Sequence, residues 1–518
     1  MALVFAGMSA AACGVVVKDP FANWGNDKLV PADTISRADA LQDLDALMAL
    51  LEHVHPDPYR IRPRQAVHAE RLHVTETMPA TLTKRELCLR LSRVIAVIDD
   101  GHTSMNCIDL IRLEWRRATD ASPPETQRLL RFPPFIRLDD QQHLIVSWHG
   151  DSPTVDPGDR LLRVNGEDTD ALIAAWMPEI SHDTDAGRRA EIARMFRAYL
   201  ALHGISAPYR LTVAAPGEPP REVTVEGEPV NYSFQDRPKV PPRPLPPPAR
   251  PRPFAVFGPI KLENAFFTYR ILEPDVGYVN FFSPLDGLST VSRFRKAVDA
   301  LFTQVASDGP RVLVLDIREN GGGEDTVAAE LLRHMTRKPF RLFASTQIKR
   351  SQEARDFANS IVRIPFRWLG LPYLSSEARR YFNGKPGTMA KPIERRIVAH
   401  PPAEPFYSGP VCVLTGPHTY SAAVEFAEAV KTFGLATVVG EETGGQPNSF
   451  GNQIPFRLPH SGLTVTIATN RGVRASGSLT DFESVAPDIV VRTTADDMRG
   501  FFDPVLDRAR TCPERSIE

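Results

Sequence analysis

Two hydrophobic rhythms divide this chain. Between residues 36 and 105 apolar side chains recur every three or four positions. Leu41, Leu44, Leu47, Met48 and Leu51 mark one face of a helix over Ala38–His53, and Leu87, Leu91, Val94 and Ile95 mark another over Lys84–Ile98. The rhythm then shortens to the alternation of strands at Phe135–Leu138, His143–Trp148, Tyr209–Ala214 and Glu222–Val225, with a helical insertion over Ala171–Leu202. From Phe254 onward strands and helices take turns. Gly277–Phe282, Val312–Ile317, Val411–Thr415, Ala436–Gly440 and Leu463–Thr469 read as strands. Val291–Val305, with Phe294, Val298, Leu301 and Phe302 on one face, Thr326–Met335 and the segment from Ser421 read as helices. Continuous apolar strands alternating with helices imply a sheet buried on both faces, hence an α/β domain. The predicted order is a helical region over 33–118, a β-rich module over 130–230, the α/β core over 254–495 and a tail over 496–518.

Composition narrows the classes. At 518 residues and 24% charged, the chain is a multi-domain globular protein. Lys and Arg number 61 against 63 Asp and Glu, so there is no cationic excess to neutralise phosphates and no nucleic-acid partner is expected. Residues 238–253 hold nine prolines and four basic residues, a stiff polyproline-like connector whose PxxP spacing also fits an SH3 ligand. Met1–Val17 carries no charge and contains Ser9-Ala10-Ala11-Ala12-Cys13-Gly14, which resembles the end of a bacterial lipoprotein signal with Cys13 as the lipidated residue. Residues 1–20 are therefore expected to direct export to the cell envelope, periplasmic or membrane-attached through Cys13; a plain secretory signal or a disordered tail are the alternatives. Beyond this segment no run approaches the roughly 18 apolar residues of a spanning helix. Of the remaining cysteines, Cys412 reads as a small apolar thiol in a buried strand, and no disulfide framework is expected.

The chemistry gathers around Ser421. Gly416-Pro417 ends the apolar strand Val411–Thr415, and from Ser421 the pattern turns helical, with Ala423, Phe426, Ala427, Val430 and Phe433 on one face. A serine there feels the positive end of the helix dipole, and the N–H of Ala422 points toward whatever its hydroxyl attacks. Serine is also a preferred N-cap, and on this segment alone capping is the commoner role. Asp316-Ile-Arg-Glu-Asn-Gly-Gly-Gly323 follows another apolar strand without the spacing of a phosphate loop. Gly321 or Gly322 with Ala422 would instead form an oxyanion hole. A serine nucleophile needs a base. The candidates are His418, three residues before Ser421, and His102, in the turn Asp99-Asp100-Gly101-His102-Thr103-Ser104. Glu425, one turn beyond Ser421, reads as a structural acid.

Four segments together resemble the tail-specific (C-terminal processing) protease family and its tricorn core-protease branch. They are Asp100–Thr103, Gly277–Asn280, Asp316–Gly323, and Thr419–Glu425 followed by Gly440–Gly444. Gly158–Gly166, GDRLLRVNG, similarly resembles the turn and strand of a PDZ domain, in the place the family carries one. The resemblance implies a ClpP/crotonase-like α/β core and a serine endopeptidase acting on polypeptides without a metal or cofactor. One branch of the family carries a lysine where this chain has Gln446; the other uses a histidine from the N-terminal region and a glutamate near the end of the core. His102 and Glu483 match that pair. The same fold also serves noncatalytic ligand-binding or scaffolding proteins, and a small ester or amide hydrolase would use similar residues.

Overall fold

The computed structural model describes residues 16–17, 29–120, 129–150, 154–230, 259–272, 275–281, 290–323, 326–363, 380 and 383–513. Cys13 and the proline-rich 238–253 lie outside them. Four N-terminal helices, α1 (Arg37–Val54), α2 (Arg64–Glu76), α3 (Lys84–Ala96) and α4 (Ile108–Asp120), follow the three-to-four rhythm. Ser36 caps α1 by accepting the Asp39 N–H, and Thr83 with Glu86 forms a reciprocal capping box on α3.

The β-rich module is an antiparallel sheet of β1 (Phe135–Leu138), β2 (Leu144–Trp148), β3 (Arg160–Val164), β4 (Tyr209–Ala214) and β5 (Arg221–Val225), in the order β5-β4-β3-β2-β1. Between β3 and β4 run α5 (Thr169–Trp176), α6 (Asp185–Arg194) and α7 (Phe196–Leu202). Leu44, Leu91 and Ile111 of the N-terminal helices, Val146, Leu161 and Val213 of the module, and Phe196 of α7 belong to one hydrophobic core. The helical region and the module, read as two units in the sequence, are thus one body. α7 packs against α4 and joins them.

The second body is a seven-stranded sheet in simple chain order: β6 (Ile260–Glu263), β7 (Phe267–Leu272), β8 (Val276–Phe281), β9 (Val312–Asp316), β10 (Val411–Thr415), β11 (Thr437–Gly440) and β12 (Ile489–Val490). β6, β7 and β8 pair antiparallel; β8 through β12 are parallel. Alternate residues of β9 face opposite ways, as a strand's period of two requires. Leu313 and Leu315 meet Phe294, Leu332 and Phe426 of α8 (Thr290–Asp308), α9 (Thr326–Arg333) and α10 (Ala422–Thr432). Val312 and Val314 face Val505, Leu506 and Ala509 of α11 (Pro504–Arg510). The stretch expected to be a tail therefore packs on one face of the sheet, against β9, β10 and β11. Burying Val505 and Leu506 contributes about 1.5–3 kcal/mol each.

The cysteines depart from expectation as well. Cys412 is no free thiol: it is bonded to Cys512 just beyond α11, and Cys88 is bonded to Cys107. Their sequence separations of 100 and 19 correspond to roughly 5 and 3 kcal/mol of loop-closure entropy. Such pairings carry no periodicity, so the hydrophobic pattern does not announce them.

A hairpin of Ile454–Arg457 and Thr464–Ile467 leaves the second body and buries Val465 and Ile467 in the core of the first. Asp43, buried on α1, holds its tip by accepting the N–H groups of His460 (2.9 Å) and Ser461 (2.8 Å). Among the described residues no helix is long and apolar enough to cross a membrane.

Candidate active site

β10 ends at Thr415, and the chain makes one tight turn before α10 opens. Thr419, fully buried, fixes the turn from below: its hydroxyl donates to the Ile317 carbonyl at 2.9 Å and accepts the Gly416 N–H at 3.1 Å. Tyr420 N–H donates to the Asn320 carbonyl at 3.0 Å. Ser421 is left with φ +51° and ψ −126°, a conformation costing a non-glycine residue on the order of 1–3 kcal/mol. It occupies the N-cap position, but its side chain makes no capping hydrogen bond. Its Oγ instead lies 3.0 Å from Nε2 of His102, 319 residues away in sequence.

The turn carrying His102 is tied down on every side. The Cys88–Cys107 disulfide brackets it. Ser104 exchanges backbone hydrogen bonds with Thr466 of the hairpin at 2.9 and 2.8 Å, and Thr103 Oγ1 accepts the Ala468 N–H at 3.1 Å. Asp100 is buried beneath the turn. Its Oδ1 accepts the His102 N–H at 2.9 Å and its Oδ2 lies 3.0 Å from Nε2 of the buried His55. Asp57 N–H donates to His55 Nδ1 at 3.1 Å, so a neutral His55 carries its proton on Nε2 and gives that hydrogen bond to Asp100. Burial opposes charge on Asp100, but hydrogen bonds from His102 and His55 outweigh it and hold its pKa well below the carboxylate range. Burial likewise opposes charge on His102; Asp100 and the more distant Asp183 reverse the balance and raise its pKa.

The other ring nitrogen of His102, Nδ1, lies 3.7 Å from Asp100 Oδ1 and 3.3 Å from the Tyr420 hydroxyl. The Tyr420 ring stacks on the imidazole with centroids 5.0 Å apart. Tyr420 in turn donates to Asp183 Oδ1 at 2.9 Å. Asp183 precedes α6 in the module and receives two more hydrogen bonds, from Gly101 N–H at 2.9 Å and Gln446 N–H at 3.2 Å. Burial raises the pKa of Asp183, and burial together with the Asp183 charge raises that of Tyr420 well above the phenol range. Asp100, His102 and Asp183 each offer one atom within 4.8 Å of the others, the one grouping of metal-ligand type among the described residues. Backbone N–H groups and the Tyr420 hydroxyl already occupy both carboxylates, an arrangement suited to holding a proton on the imidazole.

Segment 181–188 wedges between the two halves of the site. Ser181 Oγ donates to the Asp100 carbonyl at 2.6 Å, and Thr184 Oγ1 donates to the Gly444 carbonyl at 2.8 Å. Buried Arg188 donates to the Ala96 carbonyl at 3.0 Å and pairs with Asp99. Alongside lies a cavity of about 430 Å³ whose walls include Gly101, Met105, Ile180, His182, Gly321 and Tyr420.

The remaining expectations are placed differently. Ala422 opens α10, so its N–H is among the first four of the helix and has no acceptor within it; the nitrogen lies beside Gly322, 2.9 Å from where a Cβ there would stand. Gly322 N–H is committed to Asn320 Oδ1 at 2.9 Å, so in this conformation it is not offered as the second oxyanion donor. What Gly322 supplies is space: at φ +97°, a Cβ there would stand 2.5 Å from Ser421 Cβ and 2.8 Å from the Tyr420 carbonyl. Gly321 is exposed on the cavity wall. Glu483 is also exposed and makes no hydrogen bond or ion pair to His102 or Ser421; its own N–H donates to Asp481 Oδ1 at 3.0 Å. Asn448 donates to the Asp481 carbonyl and Thr443 Oγ1 accepts the Val485 N–H, which holds that loop and leaves Glu483 facing solvent. His418 is kept neutral by burial, its pKa lowered, and no hydrogen bond joins it to Ser421. Glu425 is buried in the first turn of α10. Tyr420 and Asp183 were missed. Tyr420 sits inside the motif that singled out Ser421, whereas Asp183 offers no sequence signal toward a histidine 81 residues earlier.

The model of peptidase family S41 matches residues 275–491, which include β8 through β12 and the Ser421 turn. The core belongs to peptidase family S41. The chain is accordingly a serine-type peptidase, a hydrolase that cuts polypeptides. The whole fold of this S41 peptidase is similar to that of mature CPAF, with a TM-score of 0.63 and 18% identity over 92% of this chain and 96% of that one. Mature CPAF complexed with lactacystin matches at TM-score 0.62 and 18% identity, over 92% and 98% of the two chains. The photosystem II D1 C-terminal processing protease covers 88% of this chain and 93% of its own at 15% identity, but with a TM-score of only 0.39. At such identities the likeness to CPAF is one of fold. The S41 match stops short of His102, whose place beside Ser421 rests on the geometry.

Proposed function

We propose that this S41 peptidase cleaves polypeptides through an acyl-enzyme on Ser421 with His102 as general base. The observation that carries the reading is the 3.0 Å approach of His102 Nε2 to Ser421 Oγ at a strained residue that makes no capping bond. Oγ attacks the scissile carbonyl as Nε2 takes its proton, and Ala422 N–H receives the developing oxyanion. The imidazolium then protonates the departing amine, and water, deprotonated by the same Nε2, releases the acyl group. Glycine at 322 lets the nucleophile stand free of its neighbour, and Gln446 at the lysine position of the other branch leaves the base to His102. The cavity beside the dyad is the seat for substrate side chains.

The reading extends to location and to the module. Two disulfides fit an oxidising compartment and support export to the cell envelope, with lipid attachment at Cys13 as the anchoring chemistry. The antiparallel sheet with its Gly158–Gly166 turn is read as PDZ-like, its helical insertion turned to holding the active site. The test is fluorophosphonate labelling and casein cleavage by wild type, Ser421→Ala and His102→Ala. Both activities are expected in wild type and a loss on the order of 10⁴-fold or more in each variant. A fully active Ser421→Ala would defeat the assignment.

A further inference from the structure

Nδ1 of His102 needs a partner if the ring is to present Nε2 to Ser421 in the correct tautomer. Asp100 is poorly placed for this. Its Oδ1 is taken up by the His102 backbone N–H, its Oδ2 by His55, and its nearer oxygen stands 3.7 Å from Nδ1. The atom within hydrogen-bond reach is the Tyr420 hydroxyl at 3.3 Å, and that hydroxyl has already committed its own proton to Asp183 at 2.9 Å. A phenol that donates to a carboxylate has its lone pairs left for an incoming N–H, which fixes the direction of both bonds. Asp183 itself is held by N–H groups from the His102 turn and from Gln446, so it cannot swing away without breaking contacts to both bodies.

We propose that Tyr420 and Asp183 are the positioning residues of this enzyme, forming a relay Ser421–His102–Tyr420–Asp183 in which the orienting carboxylate comes from the module. The proposal rests on the Ser421–His102 reading above. During acylation Nε2 gains the Ser421 proton; the Nδ1 proton stays on the ring and donates to Tyr420 Oη, whose proton stays on oxygen and donates to Asp183 Oδ1. No proton passes beyond His102. The imidazolium is favoured by Asp183 through Tyr420 and by Asp100 from its own turn. His182, tilted against the Tyr420 ring with centroids 4.9 Å apart, lies on the same segment as Asp183, and burial brings its pKa down to about 3, so it adds no competing charge near neutrality. Among the described residues, Arg188, Glu191 and Arg194 on α6, His418 before the Ser421 turn and His55 below Asp100 are the other titratable groups around the relay.

The experiment compares wild type, Tyr420→Phe, Asp183→Asn and the double variant. Tyr420→Phe keeps the stacked ring; Asp183→Asn keeps the shape and removes the charge. Each single variant is expected to lose kcat by on the order of 10–10²-fold with KM within about 2-fold, and the double to lose no more than the worse single, because one unit is broken either way. The acid limb of kcat/KM is expected to move to lower pH in all three, since the imidazolium loses its support. A folded Asp183→Asn or Tyr420→Phe with wild-type kcat and an unmoved acid limb overturns the relay. So does a double variant whose losses multiply while the limb stays in place, the mark of two separate structural effects. Melting curves establish folding, and Asp183→Asn alone decides the matter should Tyr420→Phe fail to fold. Failure of wild type to label at Ser421 is a different result, defeating the underlying dyad instead.

Discussion

The two halves of the dyad are held by opposite means. Ser421 stands on backbone geometry: a parallel strand, a buried threonine, one strained residue and a glycine that yields space. His102 is held by side chains and covalent bonds: a disulfide, a buried Asp100–His55 pair, a hairpin and a wedge from the module. A nucleophile at the end of an interior strand is placed by the fold of its own domain, whereas a base reaching over from another body must be fastened there. The first half should therefore break sharply at single atoms, and the second should loosen by degrees.

The largest effect is expected at Gly322. Gly322→Ala places a methyl against Ser421 Cβ and the Tyr420 carbonyl, where no rotamer relieves it, at a conformational cost of about 1–3 kcal/mol. A loss of 10²-fold or more in labelling rate and kcat is expected; the assay reads this directly, and a variant within a few-fold of wild type would mean the elbow yields more readily than its backbone suggests. Next come the disulfides, which separate the two halves. Removing either pair as Cys→Ala should cost about 2–5 kcal/mol by thermal or denaturant unfolding. Loss of Cys412–Cys512 should leave kcat near wild type below the melting temperature, whereas loss of Cys88–Cys107 should also lower kcat, by roughly 3- to 10-fold.

Smaller and more diagnostic is the pH dependence. With the His102 pKa raised, kcat/KM should climb with pH through a value above the ordinary 6.5 or so of histidine. In Asp100→Asn the imidazolium loses its neighbouring carboxylate, so the acid limb should shift to lower pH. For stability the signs differ. The Asp100 contribution, from a depressed pKa, is present above its unfolded pKa near 4 and lost as pH falls through its folded value. The His102 contribution, from a raised pKa, is complete below about 6.5 and lost as pH rises through its folded value. Asp100→Asn should therefore melt closer to wild type in strong acid than at neutrality. The smallest change is expected from Gln446→Ala. Only its backbone N–H holds Asp183, and its buried Oε1 has no partner among the described residues, so activity should stay within about 3-fold.

The same division governs how much of the molecule was legible in sequence. The alternation of apolar strands and helices after Phe254, and the strand–serine–helix turn at Ser421, are local patterns with fixed periods, and both are found where the pattern puts them. His102 came from resemblance to a family motif, not from periodicity. Asp183, the cysteine pairs and the seat of α11 arise from tertiary packing between distant segments, and no spacing encodes them. Glu483 shows the converse: its motif matches, yet the loop around Asn448 and Thr443 turns it outward.

The wedge at 181–188 has one more consequence. It touches the base's turn through Ser181 and, through Thr184, the Gly444 loop that is bonded to the nucleophile's turn at Thr419, so seating the wedge and completing the site are one equilibrium viewed from two places. Thermodynamic reciprocity then applies: anything that steadies the module strengthens an inhibitor at Ser421 by the same factor as the inhibitor steadies the module. Occupancy of the active site becomes readable, by slowed hydrogen exchange, in a segment that never meets the scissile bond.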